Sequence, residues 1–289
     1  MHITANFDAG NIDIINANDK NDIQLAIRPD VGSEFFQWFN FRLSGQIGEQ
    51  YVLNILNAGE SSYLEGWENY QAVASYNRQH WFRLPTSYKD GKLVIVAELE
   101  CETIQIAYFA PYSYERHQDL LAAVQVHPLV TLEHLGETLD KRDLTLVKIG
   151  DGDASKRNIW ITARQHPGET MAEWLIEGLL YSLLDSDNAT GKQLLDKANF
   201  YIVPNMNPDG SIRGHLRTNA AGTNLNREWQ SPSLEKSPEV FHVINKMEAT
   251  GVDLFYDVHG DEALPYVFLA GSQGTPSYSD RLAGLRDKF

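Results

Sequence analysis

Short runs of alternating apolar and polar residues occupy the first part of the chain, up to about residue 112. They occur at residues 12–14, 23–27, 35–41 and 93–96, and Gly, Asn, Asp and Pro separate them. An alternation with a period of two is typical of strands that bury one face, and no long stretch with helical spacing interrupts it. The pattern therefore predicts an all-β sandwich domain over residues 1–111.

The pattern changes beyond Pro111, where strand-like and helix-like stretches begin to alternate. Strands are predicted at residues 130–135, 144–149, 158–163, 200–203 and 254–258. Helices are predicted at residues 115–126, 171–184, 238–247 and 280–285. This order of elements favours an α/β domain over residues 112–289, with a mixed sheet covered by helices on both faces.

The composition narrows the class of protein without defining a function. With 43% hydrophobic and 22% charged residues, the chain has an ordinary globular composition. A net charge of −15 argues against nucleic acid and anionic membranes as partners. The sequence carries no recognisable signal peptide or membrane span, which together with a single cysteine favours a cytoplasmic location. Nothing in the sequence indicates the oligomeric state.

Two further expectations concern single side chains in the first domain. The lone cysteine, Cys101, lies in a strand-like run and is predicted to be a buried, inert thiol. Trp38, Trp67 and Trp81 could form an exposed carbohydrate-binding face, but packing in the core is the favoured interpretation.

Candidate chemistry is concentrated in the motif His166-Pro167-Gly168-Glu169, which lies between a predicted strand and a predicted helix. A pair of His and Glu three residues apart also occurs by chance, but Pro and Gly between them indicate a fixed turn. His259 follows the predicted strand at residues 254–258, so it also lies at a strand's carboxyl end, where open α/β sheets bind ligands. Two imidazoles, one carboxylate and a water form a recurring catalytic zinc site.

The segment between these residues contains Asn207-Pro208-Asp209-Gly210, then Arg217, then Asn226-Arg227-Glu228-Trp229. Here the chain resembles the zinc carboxypeptidases, and within them a bacterial-type member of the cytosolic carboxypeptidase-like branch, over roughly residues 112–270. The resemblance implies one Zn²⁺ per chain, held by His166, Glu169 and His259. It also implies that Arg217 polarises the scissile carbonyl, and that Asn226 and Arg227 bind the terminal carboxylate of a substrate.

The implied function is the removal of C-terminal residues from peptides or protein tails through a zinc-activated water. The residue types suit these roles, because a permanently charged guanidinium can stabilise an oxyanion and can bind a carboxylate through two hydrogen bonds. Asn207–Gly210 is expected to be a structural turn that shapes the site. Arg213 and His215 are expected to form a basic patch there with Arg217 and Arg227. Two alternatives stay open: a zinc amidohydrolase acting on N-acyl amino acids, and a non-catalytic binding protein that keeps the zinc pocket.

The chain departs from the family pattern in two places. The family has Asp two residues before the Asn-Arg pair, whereas this chain has Asn224, which gives up a charge. The family's general base is a glutamate on a late strand, much further beyond the third ligand than the 30 residues that follow His259 here. We therefore expect the chain to be C-terminally incomplete, with its general base beyond residue 289, and Glu262 is not assigned that role.

Overall fold

The strands of the first domain form two five-stranded sheets that enclose one core. The computed structural model describes residues 1–271, 273 and 278–288. One sheet has the order β1-β4-β10-β6-β7 and the other β2-β3-β5-β9-β8, and every pairing is antiparallel except β3 with β5. The predicted sandwich is confirmed. Its strands are β1 His2–Thr4, β2 Asp13–Asn16, β3 Ile23–Ala26, β4 Asn40–Ser44, β5 Gln50–Ile55, β6 Val73–Ser75, β7 Phe82–Arg83, β8 Thr86–Lys89, β9 Lys92–Glu98 and β10 Thr103–Ala107.

Side chains that alternate along the strands form the core between the two sheets. In β9, Leu93, Ile95 and Ala97 are fully buried, and the residues between them are partly exposed. Trp38 and Trp67 are also buried in this core, and each indole N–H donates to a backbone carbonyl. These two tryptophans are therefore core residues.

Two expectations for this domain are wrong. The predicted strand at residues 35–41 begins only at Asn40, because the side chain of Gln37 bonds both the N–H and the C=O of Tyr63 and holds the preceding residues as an irregular segment. Cys101 is exposed, because it lies in the turn between β9 and β10 and not in either strand.

The second domain is built on a mixed sheet with the order β11-β12-β14-β13-β15. Strand β13, which lies between β14 and the edge strand β15, runs parallel to both, and the remaining pairs are antiparallel. The strands are β11 Val130–Glu137, β12 Asp143–Ile149, β13 Arg157–Ala163, β14 Ala198–Val203 and β15 Leu254–Val258. The helices are α1 Tyr114–Val124, α2 Met171–Leu184, α3 Ala189–Leu195, α4 Pro208–Arg213, α5 Pro238–Thr250 and α6 Asp280–Arg286, and 3₁₀ turns occupy Ala58–Glu60, Leu64–Trp67 and Leu225–Arg227.

Apolar side chains on successive residues of this sheet face opposite layers of helices. In β12, Val147 and Ile149 pack in the core that includes α1 and α2, whereas Leu144 and Leu146 pack in the core that includes α5. This is the alternation of a strand buried on both faces, and it confirms the predicted helices on both sides. Among the described helices, none has the length and apolarity needed to cross a lipid bilayer.

Candidate metal centre

The metal-binding motif is a tight turn between β13 and α2. The backbone N–H of Gly168 donates to the carbonyl of Leu216 at 2.8 Å. A Cβ atom at Gly168 would lie only 3.0 Å from Leu216, so this close approach favours glycine. The turn is thereby fixed against the segment that follows α4.

A buried ion pair between Arg164 and Glu173 also supports the turn between β13 and α2. The guanidinium of Arg164 donates to the carbonyl of Pro167 at 3.0 Å and to the carboxylate of Glu173 at 2.7 Å. Glu173, on α2, also contacts His117 Nδ1 at 2.7 Å and accepts from Asn205. Arg164 and Glu173 are almost completely buried, and these bonds compensate for the loss of hydration that burial imposes on two charges.

The carboxylate of Glu169 lies between the two imidazoles. Its Oε1 is 2.7 Å from His166 Nδ1, and its Oε2 is 2.9 Å from His259 Nδ1. One nitrogen or oxygen from each of the three residues lies within 4.8 Å of the other two. Since β13 and β15 are parallel neighbours, their carboxyl ends bring together residues that are 90 positions apart in sequence.

Each imidazole is oriented by a polar group on its far side. His259 Nε2 lies 2.7 Å from the carboxylate of Asp257, and His166 Nε2 lies 3.1 Å from the amide oxygen of Asn224. With a metal on Nδ1, such a group can accept the proton on Nε2, which fixes the tautomer and the orientation of the ring. Two nitrogen donors and one carboxylate oxygen, oriented in this way, fit Zn²⁺.

Glu169 and His259 shift each other's pKa. Burial favours the neutral form of Glu169, but hydrogen bonds from His166 and His259 outweigh it and lower the pKa of the carboxyl to about 2. Burial likewise opposes a charge on His259, but Asp257 and Glu169 outweigh it and raise the pKa of the imidazole to about 10. The carboxylate is therefore ready to bind a cation at neutral pH, whereas His259 must release a proton when a metal binds.

A cavity of about 400 Å³ opens in front of these residues. Its wall combines both domains, because Tyr63 and Glu65 of the sandwich face the metal-binding residues of the α/β domain. Burial raises the pKa of Tyr63 to about 12, so its hydroxyl is protonated at neutral pH. Burial and the nearby charge of Glu169 raise the pKa of Glu262 to about 7. The cavity is lined by Tyr63, Glu65, His166, Glu169, Arg217, His259, Gly260, Asp261, Glu262, Ala263 and Leu264.

Arg217 lines this cavity and contacts two aromatic rings of the sandwich. The carbon of its guanidinium lies 5.5 Å from the ring centroid of Phe35 and 5.6 Å from that of Tyr63. These cation–π contacts hold the cation on the cavity wall. The sequence did not indicate either aromatic partner, because both belong to the other domain.

The structure does not bring the other predicted substrate-binding residues to the same wall. Neither Asn226 nor Arg227 lines the cavity in the described part of the chain, although the charge of Arg227 is close enough to lower the pKa of Tyr63 against the dominant effect of burial. Arg227 is exposed, and its guanidinium donates to the carbonyl of Asn226.

The prediction of a basic patch around Arg217 is wrong, because two of the four residues assigned to it have partners elsewhere. Arg213 forms an ion pair with Asp140 at 2.7 Å, and His215 is buried, where it accepts the N–H of Val31 at 3.1 Å. The segment Asn207–Gly210 forms the start of α4, and the side chain of Asn207 caps that helix and donates to the carbonyl of Gln165, next to His166.

Together, the fold and the site define a two-domain protein with a zinc-binding α/β domain. Residues 3–109 match the cytosolic carboxypeptidase N-terminal domain, and residues 118–283 match the zinc carboxypeptidase family. The chain belongs to the zinc carboxypeptidase family, which makes it a metallocarboxypeptidase and implies one Zn²⁺ per chain.

Similar proteins cover nearly the whole chain. A structure from Shewanella denitrificans, named provisionally as a carboxypeptidase A, is 74% identical with a TM-score of 0.98, over 99% of this chain and 76% of its own. A metallo-carboxypeptidase from Pseudomonas aeruginosa, in complex with (2-guanidinoethylmercapto)succinic acid, is 46% identical with a TM-score of 0.96, over 100% of this chain and 77% of its own. Mouse cytosolic carboxypeptidase 6 is 29% identical over 94% of this chain. The chain spans 55% of the length of that mouse relative.

Proposed function

We propose that this protein hydrolyses C-terminal residues from peptides or protein tails, with residues 1–111 in a β-sandwich domain and residues 112–289 in a peptidase domain. The observation that carries the proposal is the arrangement of Glu169 between His166 and His259, in one cavity with Arg217. Family membership supports the same reaction class. The cytosolic relatives and the family of the first domain support a cytoplasmic location.

His166, Glu169 and His259 would hold the zinc ion. When bound, zinc lowers the pKa of a water toward about 7 and polarises a carbonyl. The protein would keep both Nδ1 atoms facing the ion, with Asp257 and Asn224 placed to accept the Nε2 protons. Glu169 supplies the anionic ligand, and its low pKa keeps it ionised at neutral pH.

Arg217 would donate to the carbonyl oxygen of the scissile bond as negative charge develops on it. The rings of Phe35 and Tyr63 contact its guanidinium, and the residue is partly buried. In such an environment a fixed donor stabilises an oxyanion more strongly than it would in water.

Asn226 and Arg227 would receive the free carboxylate of the substrate. They lie two and three residues after Asn224, whose side chain bonds both His166 and the N–H of Asn226. The ligand bound by the Pseudomonas relative contains a succinic acid group, so that protein accepts a molecule with free carboxylates. Exposed Arg227 is free to turn toward an incoming carboxylate, because its present bond is to the neighbouring carbonyl of Asn226.

The proposed metal site can be tested by metal analysis of the purified protein. The wild type is expected to contain one zinc per chain, and His166→Ala and His259→Ala are expected to lose it. Full zinc occupancy in both variants would overturn the site.

The proposed reaction can be tested in the full-length, zinc-loaded protein with peptides that end in a free acid or an amide. We expect Arg217→Ala to lower kcat by about 100-fold or more, as for a typical oxyanion donor. Arg227→Ala should instead raise KM for free-acid peptides and change the turnover of amidated peptides little. Equal losses on both peptides in the Arg227 variant would contradict an exopeptidase, and an inactive wild type would favour a non-catalytic binding protein.

A further inference from the structure

A carboxylate of the sandwich domain is buried against the segment that carries Arg217. Asp30 is 2% exposed. Its Oδ1 accepts the backbone N–H of Leu216 at 2.6 Å, and its Oδ2 accepts the N–H groups of Arg217 and Thr218 at 2.8 and 2.9 Å. The Thr218 hydroxyl donates to the same oxygen at 3.0 Å. Three successive amides and a hydroxyl of one domain thus converge on one carboxylate of the other.

The sandwich holds the side chain of Arg217 as well as its backbone. The loop that begins at Asp30 closes on itself through a bond from the Asp30 N–H to the carbonyl of Phe35, and the ring of Phe35 lies beside the guanidinium. Tyr63, whose ring also contacts the guanidinium, is fixed by Gln37, which bonds both its N–H and its C=O. The position of Arg217 is therefore set at three points by residues of the first domain.

The segment that Asp30 binds also contacts the metal-binding turn. Leu216 donates its N–H to Asp30 and accepts the N–H of Gly168 with its C=O. One residue thus connects the carboxylate of the sandwich to the turn between His166 and Glu169. A displacement of this segment would change the separation between the guanidinium and the zinc ligands.

A carboxylate suits this position better than any neutral group. Removing a carboxylate from water is costly unless donors satisfy it, and the four donors do so with charge-assisted bonds. An amide in its place has only one oxygen, and its NH₂ group would face one or more of the N–H groups that Asp30 accepts. Asp30→Asn keeps the shape of the side chain, but its NH₂ group would repel a backbone N–H group that the Asp30 carboxylate attracts.

We infer that the sandwich is a working part of the active site and that Asp30 is a positioning residue for Arg217. The inference rests on the proposed function, because it concerns how the oxyanion donor of that reaction is held. Asp30 acts through Arg217 and has no proposed contact with substrate. Its loss should therefore weaken transition-state stabilisation more than substrate binding.

The test compares kcat and KM of the full-length, zinc-loaded protein with those of Asp30→Asn. We expect kcat to fall by about 10- to 100-fold, in the range produced by misplacing a catalytic group by about 1 Å, with KM little changed. Thr218→Val removes one of the four donors and should give a smaller loss in the same direction, which keeps the test decisive if Asp30→Asn folds poorly. Zinc content should stay at one per chain in both variants.

Asp8→Asn is the matched control. Asp8 also belongs to the sandwich and accepts a backbone N–H of the other domain, that of Tyr114 at 2.7 Å. Within the described part of the chain, it has no hydrogen bond to residues 216–218. This variant should keep the kcat of the wild type. An equal loss of kcat in Asp8→Asn would overturn the inference, because it would show that any weakening of the domain contact has the same effect.

A double-mutant cycle gives the readout that a merely structural role would not produce. If Asp30 acts through Arg217, Asp30→Asn should cost little further kcat in the Arg217→Ala background, so the two losses should be strongly non-additive. Additive losses, or wild-type kcat in Asp30→Asn, would overturn the inference while leaving the proposed function intact. An inactive zinc-loaded wild type would instead overturn the proposed function, and this inference with it.

Discussion

At the scale of single residues, the metal centre depends on the groups behind the two histidines as well as on its three ligands. Asp257 accepts from His259 Nε2, the Thr162 hydroxyl and the Gln165 amide. In Asp257→Asn the charge is lost and the new NH₂ group faces other donors. We expect zinc affinity to fall by about 10- to 100-fold, as measured by competition with a chromophoric chelator.

Asp253→Asn serves as the comparison for this variant. Asp253 lies at the opposite end of β15 and accepts from Arg157 and from the N–H of Asn158. Its loss can affect stability but should leave zinc affinity unchanged. Identical zinc affinities in the wild type and Asp257→Asn would contradict the role given to Asp257.

Replacing the amide of Asn224 with a carboxylate should strengthen zinc binding, whereas Asp257→Asn should weaken it. Asn224 Oδ1 lies 3.1 Å from His166 Nε2 and also accepts the N–H of Asn226. A carboxylate in its place keeps both bonds and makes the first one charge-assisted, so Asn224→Asp should release zinc to a chelator more slowly than the wild type. Gln230→Glu adds the same charge at an exposed position nearby and should have no such effect. Equal or faster release in Asn224→Asp would count against the prediction.

At the scale of secondary structure elements, helix α2 joins the metal-binding turn to the core through Glu173. Removing this side chain in Glu173→Ala would leave Arg164 buried without its charged partner. Breaking a buried pair in this way typically costs about 3–5 kcal/mol, so the free energy of unfolding in denaturant should fall by about that amount. Zinc retention should fall too, because Arg164 also holds the carbonyl of Pro167.

Glu177, one turn further along α2, offers a control on the same helix. It pairs with Arg116, which is 35% exposed, so its ion pair is better hydrated and contributes less. Glu177→Ala should therefore lower the free energy of unfolding clearly less than Glu173→Ala does, and it should leave zinc bound. Equal costs for the two variants would argue against a special role for the buried pair.

Helix α5 carries a titratable group whose effect on stability depends on pH. Glu239 is buried in its first turn, where Asn219 donates to it, and burial raises the pKa of the carboxyl from 4.5 to about 7. The folded state therefore holds this proton more tightly than the unfolded state. The resulting stabilisation is complete below about pH 4.5 and is lost as the pH rises to about 7.

Glu239→Gln has no proton to lose at this position, so its free energy of unfolding should lack this dependence on pH. The free energy of unfolding of the wild type should thus fall relative to that of the variant between pH 5 and pH 8, as measured by denaturant titration at both values. Other titrating groups contribute equally to both proteins, so the difference isolates Glu239. Parallel pH dependences would refute the prediction.

The elements that position the ligands were predictable from sequence, because their patterns are local. The apolar run at residues 158–163 and the helical spacing at residues 171–184 gave β13 and α2 to within one residue. Residues 35–39 misled the prediction, because their aromatic content is typical of a strand whereas the bonds of Gln37 to Tyr63 decide their conformation. The role of Asp30 left no local signal, since its partner Leu216 is 186 positions away.

At the scale of the whole molecule, the two domains share buried hydrogen bonds and should unfold together. Besides Asp30, the Asn11 amide donates to the carbonyl of Gly214 at 2.8 Å, and the N–H of Ala9 donates to the carbonyl of Ile212 at 2.9 Å. We expect a single calorimetric transition in which the calorimetric and van't Hoff enthalpies agree. Two separated transitions would show that each domain is stable without these contacts.

The bond between Asp30 and Leu216 also bears on how such proteins can be recombined. A gene fusion could exchange the first 111 residues for the sandwich domain of another protein. Such a fusion would replace Asp30, Phe35 and Tyr63 together, so Arg217 would lose the residues that hold it here. Insertions into the loop between Asp30 and Phe35 should be tolerated no better than insertions beside the zinc ligands, although the loop belongs to a domain that holds none of those ligands. The boundary at which this protein could be cut into interchangeable modules therefore does not coincide with the boundary between its two folds.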